Sequence, residues 1–168
     1  MSYVDTSIIV AALDPEDPLQ KSASMVLKNE EDKIVSELVL LELASVLSRR
    51  ISLAEFKEKL EVREELIVPT LLLYLLKRFG LKYEKVDGRV KVPMFDSVYL
   101  PVATAINLSR RLRLKALDLL HIAYIRLLKE RGRALNTLIT ADEDFSNIGD
   151  GEKASLGLKI RLLKRKTF

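Results

Sequence analysis

The chain of 168 residues contains no cysteine, no tryptophan and a single histidine. The lack of cysteine excludes disulfides, thiolate metal sites and cysteine nucleophiles, and it is typical of a reducing compartment, so we expect a cytoplasmic protein. One histidine excludes metal centres that need several imidazoles. A site for a hard divalent cation, built from carboxylate oxygens, remains open.

Long apolar runs are also missing. No apolar stretch reaches the ~20 residues that a transmembrane helix needs. The N-terminus lacks a secretory signal pattern because Asp5 interrupts the first apolar run. We therefore expect no membrane contact and, at this length, a single domain over residues 1–168. The net charge of +4 weakly favours an anionic partner such as nucleic acid.

Short apolar strand candidates alternate with helical segments along the chain. Strands are predicted at residues 2–5, 33–36, 137–140 and 160–163. Helices are predicted at residues 8–13, 18–29, 38–51, 52–60, 61–80 with a break near Pro69, 97–112 and 115–128. This order predicts an α/β fold with a mostly parallel central sheet and helices on both of its faces.

The segment at residues 82–92 has a different character. Residues 83–86 and 89–92 flank Asp87-Gly88, a dipeptide typical of two-residue hairpin turns. We therefore predict a hairpin insertion near residues 82–92, although one of its arms is equally compatible with a strand of the main sheet.

The helix predicted at residues 115–128 is apolar almost all the way round, which indicates burial in the core. Asp118 and His121 lie within it, three residues apart and therefore on one face. An unpaired buried carboxylate costs several kcal/mol, so Asp118 needs hydrogen-bond donors, a cation or a metal ion. Two interpretations stay open: an acid at the start of a helix bonded to backbone N–H groups, or a metal ligand.

Three further acids are placed where they can meet Asp118. Asp5 and Asp142 directly follow two predicted strands, at the carboxyl ends where parallel sheets bind ligands. Glu42 lies in the apolar helix after the strand at residues 33–36 and overlooks the same edge. Each acid alone has a local interpretation as a helix cap, a turn residue or a surface charge. Four acids that a parallel sheet can bring together are a more specific signal.

Four sequence blocks resemble the motif blocks of the PIN-domain family, in the same order and over nearly the whole chain. They are VDTS at residues 4–7, SELVLLELASVL at 36–47, ALDLLHIAYI at 116–125 and TADEDF at 140–145. The resemblance is closest in shape to the VapC-type toxins of toxin–antitoxin pairs. It implies a three-layer PIN-like fold and a metal-dependent endoribonuclease that acts on single-stranded RNA.

The resemblance also implies a set of site residues. The family's catalytic and metal-binding acids map onto Asp5, Glu42, Asp118 and Asp142, and the ion implied is Mg²⁺ or Mn²⁺, which prefer oxygen ligands. A surrounding set of residues that orient ligands or water maps onto Thr6, Ser7, Thr140, His121 and Asp144. The partners implied are RNA, an antitoxin protein and a second copy of the chain.

Other functions remain open from the sequence. The segment between the second and third blocks is longer than in compact family members, so a housekeeping RNA-processing or structure-selective nuclease competes with a toxin. A Mg²⁺-binding phosphoryl-receiver domain is a further alternative, although its lysine near the last strand has no obvious counterpart. Basic runs at residues 49–50, 110–115 and 164–166 are compatible with phosphate contacts and equally with solvated helix ends.

Overall fold

Five parallel strands form the central sheet in the computed structural model, which describes residues 1–50 and 63–164. Their order across the sheet is β3-β2-β1-β6-β7. The bounds are β1 (Ser2–Val4), β2 (Lys33–Val35), β3 (Leu81–Tyr83), β6 (Thr137–Thr140) and β7 (Lys159–Leu162). The predicted mostly parallel sheet is confirmed. The predicted helix at residues 52–60 and most of the basic tail lie outside the described residues.

Seven helices accompany the sheet in the described part of the chain, and the three-layer α/β architecture expected of a PIN-like fold is confirmed. They are α1 (Thr6–Leu13), α2 (Gln20–Asn29), α3 (Glu37–Arg50), α4 (Glu64–Arg78), α5 (Leu100–Leu112), α6 (Ala116–Glu130) and α7 (Asp150–Leu156), with a 3₁₀ turn at Glu143–Asn147. Within the described ranges, no helix is both long and apolar enough to cross a bilayer.

Helix α6 shows how the sequence forms the core. Its apolar positions recur every three or four residues, and Ile122, Ile125 and Leu128 are almost completely buried. Burial of each such side chain stabilises the fold by about 1.5–3 kcal/mol. The helix ends where Gly132 adopts a positive φ of 86°, a conformation that glycine tolerates without steric cost. Its first turn, which carries Asp118, lies at the carboxyl edge of the sheet.

The insertion contains a hairpin, and its predicted arm at residues 89–92 is confirmed, but the other arm differs from the predicted residues 83–86. Residues 81–83 pair in parallel with β2 and form the edge strand β3 of the main sheet. The hairpin joins β4 (Arg89–Lys91) to β5 (Ser97–Tyr99), which pair antiparallel. The alternating pattern of this segment is compatible both with a hairpin arm and with a strand of the main sheet. The parallel pairing with β2 is a long-range contact that the local sequence does not reveal. The start of the helix predicted at residue 97 is therefore wrong, because residues 97–99 form β5.

One further prediction about a helix is wrong, and one helix was missed. Helix α4 continues through Pro69, which lies in its second turn, so the loss of one backbone hydrogen bond there does not break the helix. It ends as expected before Gly80, whose φ is 59°. Helix α7 was not predicted, because none of its residues is buried and it therefore carries no apolar periodicity.

Candidate metal centre

A cavity of about 350 Å³ opens at the carboxyl edge of the sheet, beside the ends of β1 and β6. The four predicted acids all line it: Asp5 after β1, Glu42 in α3, Asp118 in the first turn of α6, and Asp142 after β6. Its other lining residues are Thr6, Ser7, Lys115, Ala116, Leu117 and His121. Parallel pairing of β1 with β6 brings acids together that are far apart in the sequence.

Hydroxyl groups from helix α1 and strand β6 hold the Asp5 carboxylate. Ser7 Oγ and Thr140 Oγ1 each donate a hydrogen bond of 2.6 Å to Asp5 Oδ2. The same hydroxyls accept from the backbone of the next loop: Thr140 Oγ1 from Asp142 N at 2.9 Å, and Ser7 Oγ from Ala141 N at 3.0 Å. Asp5 is therefore fixed in one orientation, and the loop that carries Asp142 is fixed to it.

Glu42 and His121 form a hydrogen-bonded pair on the other side of Asp5. Thr6 Oγ1 donates to Glu42 Oε2, and His121 Nε2 lies 3.1 Å from that oxygen and 3.3 Å from Asp5 Oδ1. His121 Nδ1 lies 3.0 Å from Tyr3 Oη, which in turn lies 2.6 Å from Ser36 Oγ. Both imidazole nitrogens of this buried histidine therefore have partners within the protein.

The charges of this group stabilise one another. Burial lowers the pKa of His121, but the hydrogen bond with Glu42 and the charge of Asp5 outweigh it, so the pKa is raised above its ordinary value. Burial likewise raises the pKa of Glu42, but His121 and the Thr6 hydroxyl outweigh it, so that pKa is lowered. Both shifts favour an imidazolium between carboxylates.

Asp118 lies in a less compensated position. Its residue is only 7% exposed, and its Oδ2 has no hydrogen-bond partner in the described part of the chain. Burial, and then the negative charge of Asp142, raise the pKa of Asp118 from 3.8 to about 6. No side chain caps the start of α6. The interpretation of Asp118 as a helix cap is therefore wrong.

Asp142 combines the two interpretations that the sequence left open. Its Oδ1 accepts a hydrogen bond of 2.9 Å from Asp144 N and so caps the 3₁₀ turn, while the residue also lines the cavity. Asp144 lies beside it, and Lys115 Nζ is 2.5 Å from Asp144 Oδ2. Asp118, Asp142 and Asp144 each offer an oxygen within 4.8 Å of the others.

The donor set fits a hard divalent cation. Asp5 and Glu42 form a second acidic pair, whose carboxylate oxygens lie within 4.8 Å of each other and of the His121 nitrogen between them. The Oδ2 of Asp118 is buried without a hydrogen-bond partner among the described residues, so a positive charge beside it is favourable. Carboxylate oxygens in a partly open cavity, with room for water, suit Mg²⁺ or Mn²⁺.

Sequence reasoning missed two residues of this site. Lys115 was considered only as part of a basic run, although its position three residues before Asp118 puts both in one cavity. Tyr3 was assigned to the strand alone. Its alternation with Asp5 places both side chains on one face of β1, which is a signal for contact with the same site.

Replacing Lys115 with methionine is expected to tighten Mn²⁺ binding by about two- to threefold, because it removes a positive charge beside the acids while solvent screens much of the effect. Titration of the metal by calorimetry measures this change. Lys115→Arg keeps the charge and should bind as the parent does, and Lys77→Met on α4 controls for net charge. Weaker binding by Lys115→Met would show that the lysine supports the metal site.

Comparisons with known proteins give a consistent family and fold. The family model described as PIN domain matches residues 2–151. The structure of VapBC2 from Rickettsia felis, bound to a DNA fragment from their promoter, is similar with a TM-score of 0.57 and 19% identity, over 98% of this chain and 100% of that chain. Mycobacterium tuberculosis VapC20, a sarcin-ricin loop cleaving toxin, is similar with a TM-score of 0.55 and 19% identity, over 90% of this chain and 98% of that chain. A comparison with curated proteins found no match. At this identity the two structures show a shared fold.

Proposed function

The chain belongs to the PIN-domain family of nucleases, and on that premise we propose that it is a divalent-metal-dependent endoribonuclease that cleaves phosphodiester bonds of single-stranded RNA. One observation carries the proposal: four carboxylates share a cavity in which a buried Asp118 oxygen has no partner among the described residues. Such a cluster repels itself unless protons or a cation enter it.

In this proposal Asp5, Glu42, Asp118 and Asp142 hold Mg²⁺ or Mn²⁺. When bound, the ion lowers the pKa of a coordinated water and offsets negative charge on the phosphate. The surrounding residues keep the ligands in place. Ser7 and Thr140 orient Asp5, and Thr6 with His121 orients Glu42.

His121 acts here as a positioning residue. Its two nitrogens lie beside Tyr3 and Glu42, so neither is free to take a proton from water or substrate. No nucleophilic side chain is needed, because water attacks the phosphorus in a hydrolysis of this class.

Incubation of the pure protein with labelled single-stranded RNA, duplex RNA and single-stranded DNA tests the proposal. We expect Mn²⁺-dependent cleavage of the single-stranded RNA and no cleavage in EDTA. Asp5→Asn should be inactive, whereas Glu64→Gln, which removes an exposed acid of α4, should retain activity. Cleavage by the parent in EDTA, or full activity of Asp5→Asn, would overturn the proposal.

An apolar groove supports a second part of the proposal, that the protein is the toxin of a toxin–antitoxin pair. The groove has a volume of about 270 Å³ and lies between α1, α3 and α4. It is lined by Val10, Leu13, Leu43, Val46, Leu47, Leu71, Tyr74 and Leu75, with Arg50 and Arg78 at its rim. Leu73 and Tyr74 of α4 are more than half exposed. The excess of apolar residues fits the apolar face of a partner helix.

Co-expression with the product of a small reading frame beside the gene separates a toxin from a housekeeping nuclease. We expect a stable complex that Tyr74→Asp disrupts, with unchanged cleavage by the isolated variant. Met25→Asp changes an exposed apolar residue of α2 and should leave the complex intact. Sedimentation of the protein alone measures its oligomeric state, and a dimer would indicate that a second copy of the chain, not a partner helix, occupies the groove. A protein that binds no such product would count against the toxin role and leave the nuclease proposal standing.

A further inference from the structure

A second cavity, of about 310 Å³, lies between α5, α6 and α7, away from the acids. It is lined by Arg111, Arg126, Lys129, Glu130, Ser155 and Leu156. Three of the six lining side chains are cationic, one is anionic, one is a neutral hydroxyl and one is apolar. This composition is unsuited to an apolar ligand and suited to an anion.

The partners of the three cations leave most of their charge uncompensated. Arg126 Nε donates to Glu130 Oε1 at 2.8 Å, which is a surface ion pair. Arg111 Nη2 donates to the neutral Ser155 Oγ at 2.9 Å. Lys129 Nζ donates to the carbonyl oxygens of Leu156 and Gly157, each at 2.7 Å. With three cations and one carboxylate, the lining side chains carry a net charge of +2.

These contacts also hold the cations in place. The two carbonyl bonds fix the Lys129 ammonium at the end of α7, and the serine bond fixes one edge of the Arg111 guanidinium. A guanidinium presents several N–H donors in a planar fork, which matches the oxygens of a phosphate. Because these hydrogen bonds already restrict the Lys129 and Arg111 side chains, less side-chain entropy is lost when an anion binds.

Helices α5 and α6 connect this cavity to the metal centre. Arg111 precedes Lys115 by four residues, and Lys115 lines the acidic cavity. Arg126 follows Asp118 by eight residues in α6, a rise of ~12 Å along the helix axis. An RNA strand with its reacting phosphate at Asp118 therefore has other phosphates within reach of the basic cavity.

We propose that this cavity is a phosphate subsite that binds the backbone of the RNA substrate a few nucleotides from the cleaved bond. The inference rests on the proposed ribonuclease function for the identity of the substrate. The subsite itself requires neither metal nor cleavage. Binding measured without metal therefore tests the subsite separately from the reaction.

The test compares the parent with Arg111→Gln/Arg126→Gln. Lys129 is left unchanged because it also satisfies the last carbonyls of α7. The control is Arg63→Gln/Lys77→Gln, which removes the same charge from two exposed positions, one directly before α4 and one within it. Arg63 also forms a surface ion pair. Affinity for fluorescent single-stranded RNA of three and of twelve nucleotides is measured in EDTA over a range of salt concentrations.

For the twelve-nucleotide RNA we expect the double variant to bind about five- to tenfold more weakly at low salt. The slope of log affinity against log salt should become shallower by about 0.7 per lost phosphate contact. The three-nucleotide RNA and the control variant should show little change. If the variant matches the control on the long RNA, the subsite is overturned.

Inorganic phosphate tests whether the cavity binds free phosphate instead of the phosphates of RNA. If phosphate raises the melting temperature of the parent but not of the double variant, while RNA affinity is unchanged, the cavity binds free phosphate and the RNA assignment is wrong. If the variant loses RNA affinity although the parent never cleaves RNA, the subsite stands and the ribonuclease proposal fails.

Discussion

Replacing Asp118 with asparagine is expected to reduce RNA cleavage at least about 100-fold, since even residues behind metal ligands cost about 10- to 100-fold when changed. The metal-free variant should nevertheless be more stable than the parent at neutral pH. The substitution keeps the shape of the side chain and removes a charge that burial and Asp142 disfavour. We expect a gain of about 1–2 kcal/mol, less than the whole pKa shift implies because solvent in the open cavity screens the charge.

The pH dependence of this gain has a defined sign. The folded protein raises the pKa of Asp118 from 3.8 to about 6, so the unfolded chain loses this proton first as the pH rises. Ionisation of Asp118 therefore destabilises the fold progressively between about pH 4 and pH 6. The parent and Asp118→Asn should be nearly equal in stability below pH 4, and the variant should be the more stable above pH 6. Chemical denaturation across this range measures the difference.

Addition of metal tests whether Asp118 is a metal ligand or an acid that only affects the stability of the fold. Millimolar Mn²⁺ should stabilise the parent, as any ligand of the folded state does, and should stabilise Asp118→Asn much less. Asp96→Asn, which changes an exposed acid in the hairpin, should respond to Mn²⁺ as the parent does. A destabilised Asp118→Asn that still cleaves RNA and still responds to Mn²⁺ would remove Asp118 from the site.

Replacing Phe145 with alanine is expected to destabilise the protein by about 3–5 kcal/mol, the usual cost of a large cavity in a core. Phe145 is fully buried, and its ring packs edge-on against His121 with 6.3 Å between ring centroids. It anchors the 3₁₀ turn that Asp142 caps. We therefore also expect weaker Mn²⁺ binding, because the turn no longer holds Asp142 and Asp144 in place.

Two substitutions control for this effect. Phe145→Leu fills most of the volume and should cost only about 1–2 kcal/mol. Phe95→Ala removes the same ring from the exposed end of the hairpin and should change stability by less than about 0.5 kcal/mol. Thermal and denaturant unfolding measure all three variants. An equal loss in Phe95→Ala and Phe145→Ala would contradict the role of Phe145 as an anchor.

The parts of the fold that were predictable are those with a strong local pattern. Strand β6 was predicted at its observed bounds, and α6 within two residues at either end, because uninterrupted apolar runs and helical periodicity are read directly from sequence. A hairpin was predicted in this region, but its pairing was predicted wrongly, because the Asp87-Gly88 turn signal competes with the long-range pairing of β3 to β2. Gly88 does adopt a positive φ, of 131°, but it precedes β4 and does not lie in the turn that joins β4 to β5.

The candidate site shows the same division. The positions of Asp5 and Asp142 after strands, and of Asp118 in an apolar helix, were sufficient to predict that the acids meet in one crevice. The sequence did not show which acid would be uncompensated. Thr6 and His121 satisfy Glu42, and Tyr3 is the partner of the other His121 nitrogen. Asp118 Oδ2 is left without a partner among the described residues.

The bond between Thr140 and Asp5 has a consequence for synthesis of the protein. The two residues are 135 positions apart, so β1 leaves the ribosome well before β6. Pairing of β1 with β2 needs only early parts of the chain, but Asp142 joins Asp5 only after β6 has also emerged and paired with β1. A chain with this connectivity cannot complete its acidic cavity until β6 and Asp142 have been synthesised and β6 has paired with β1.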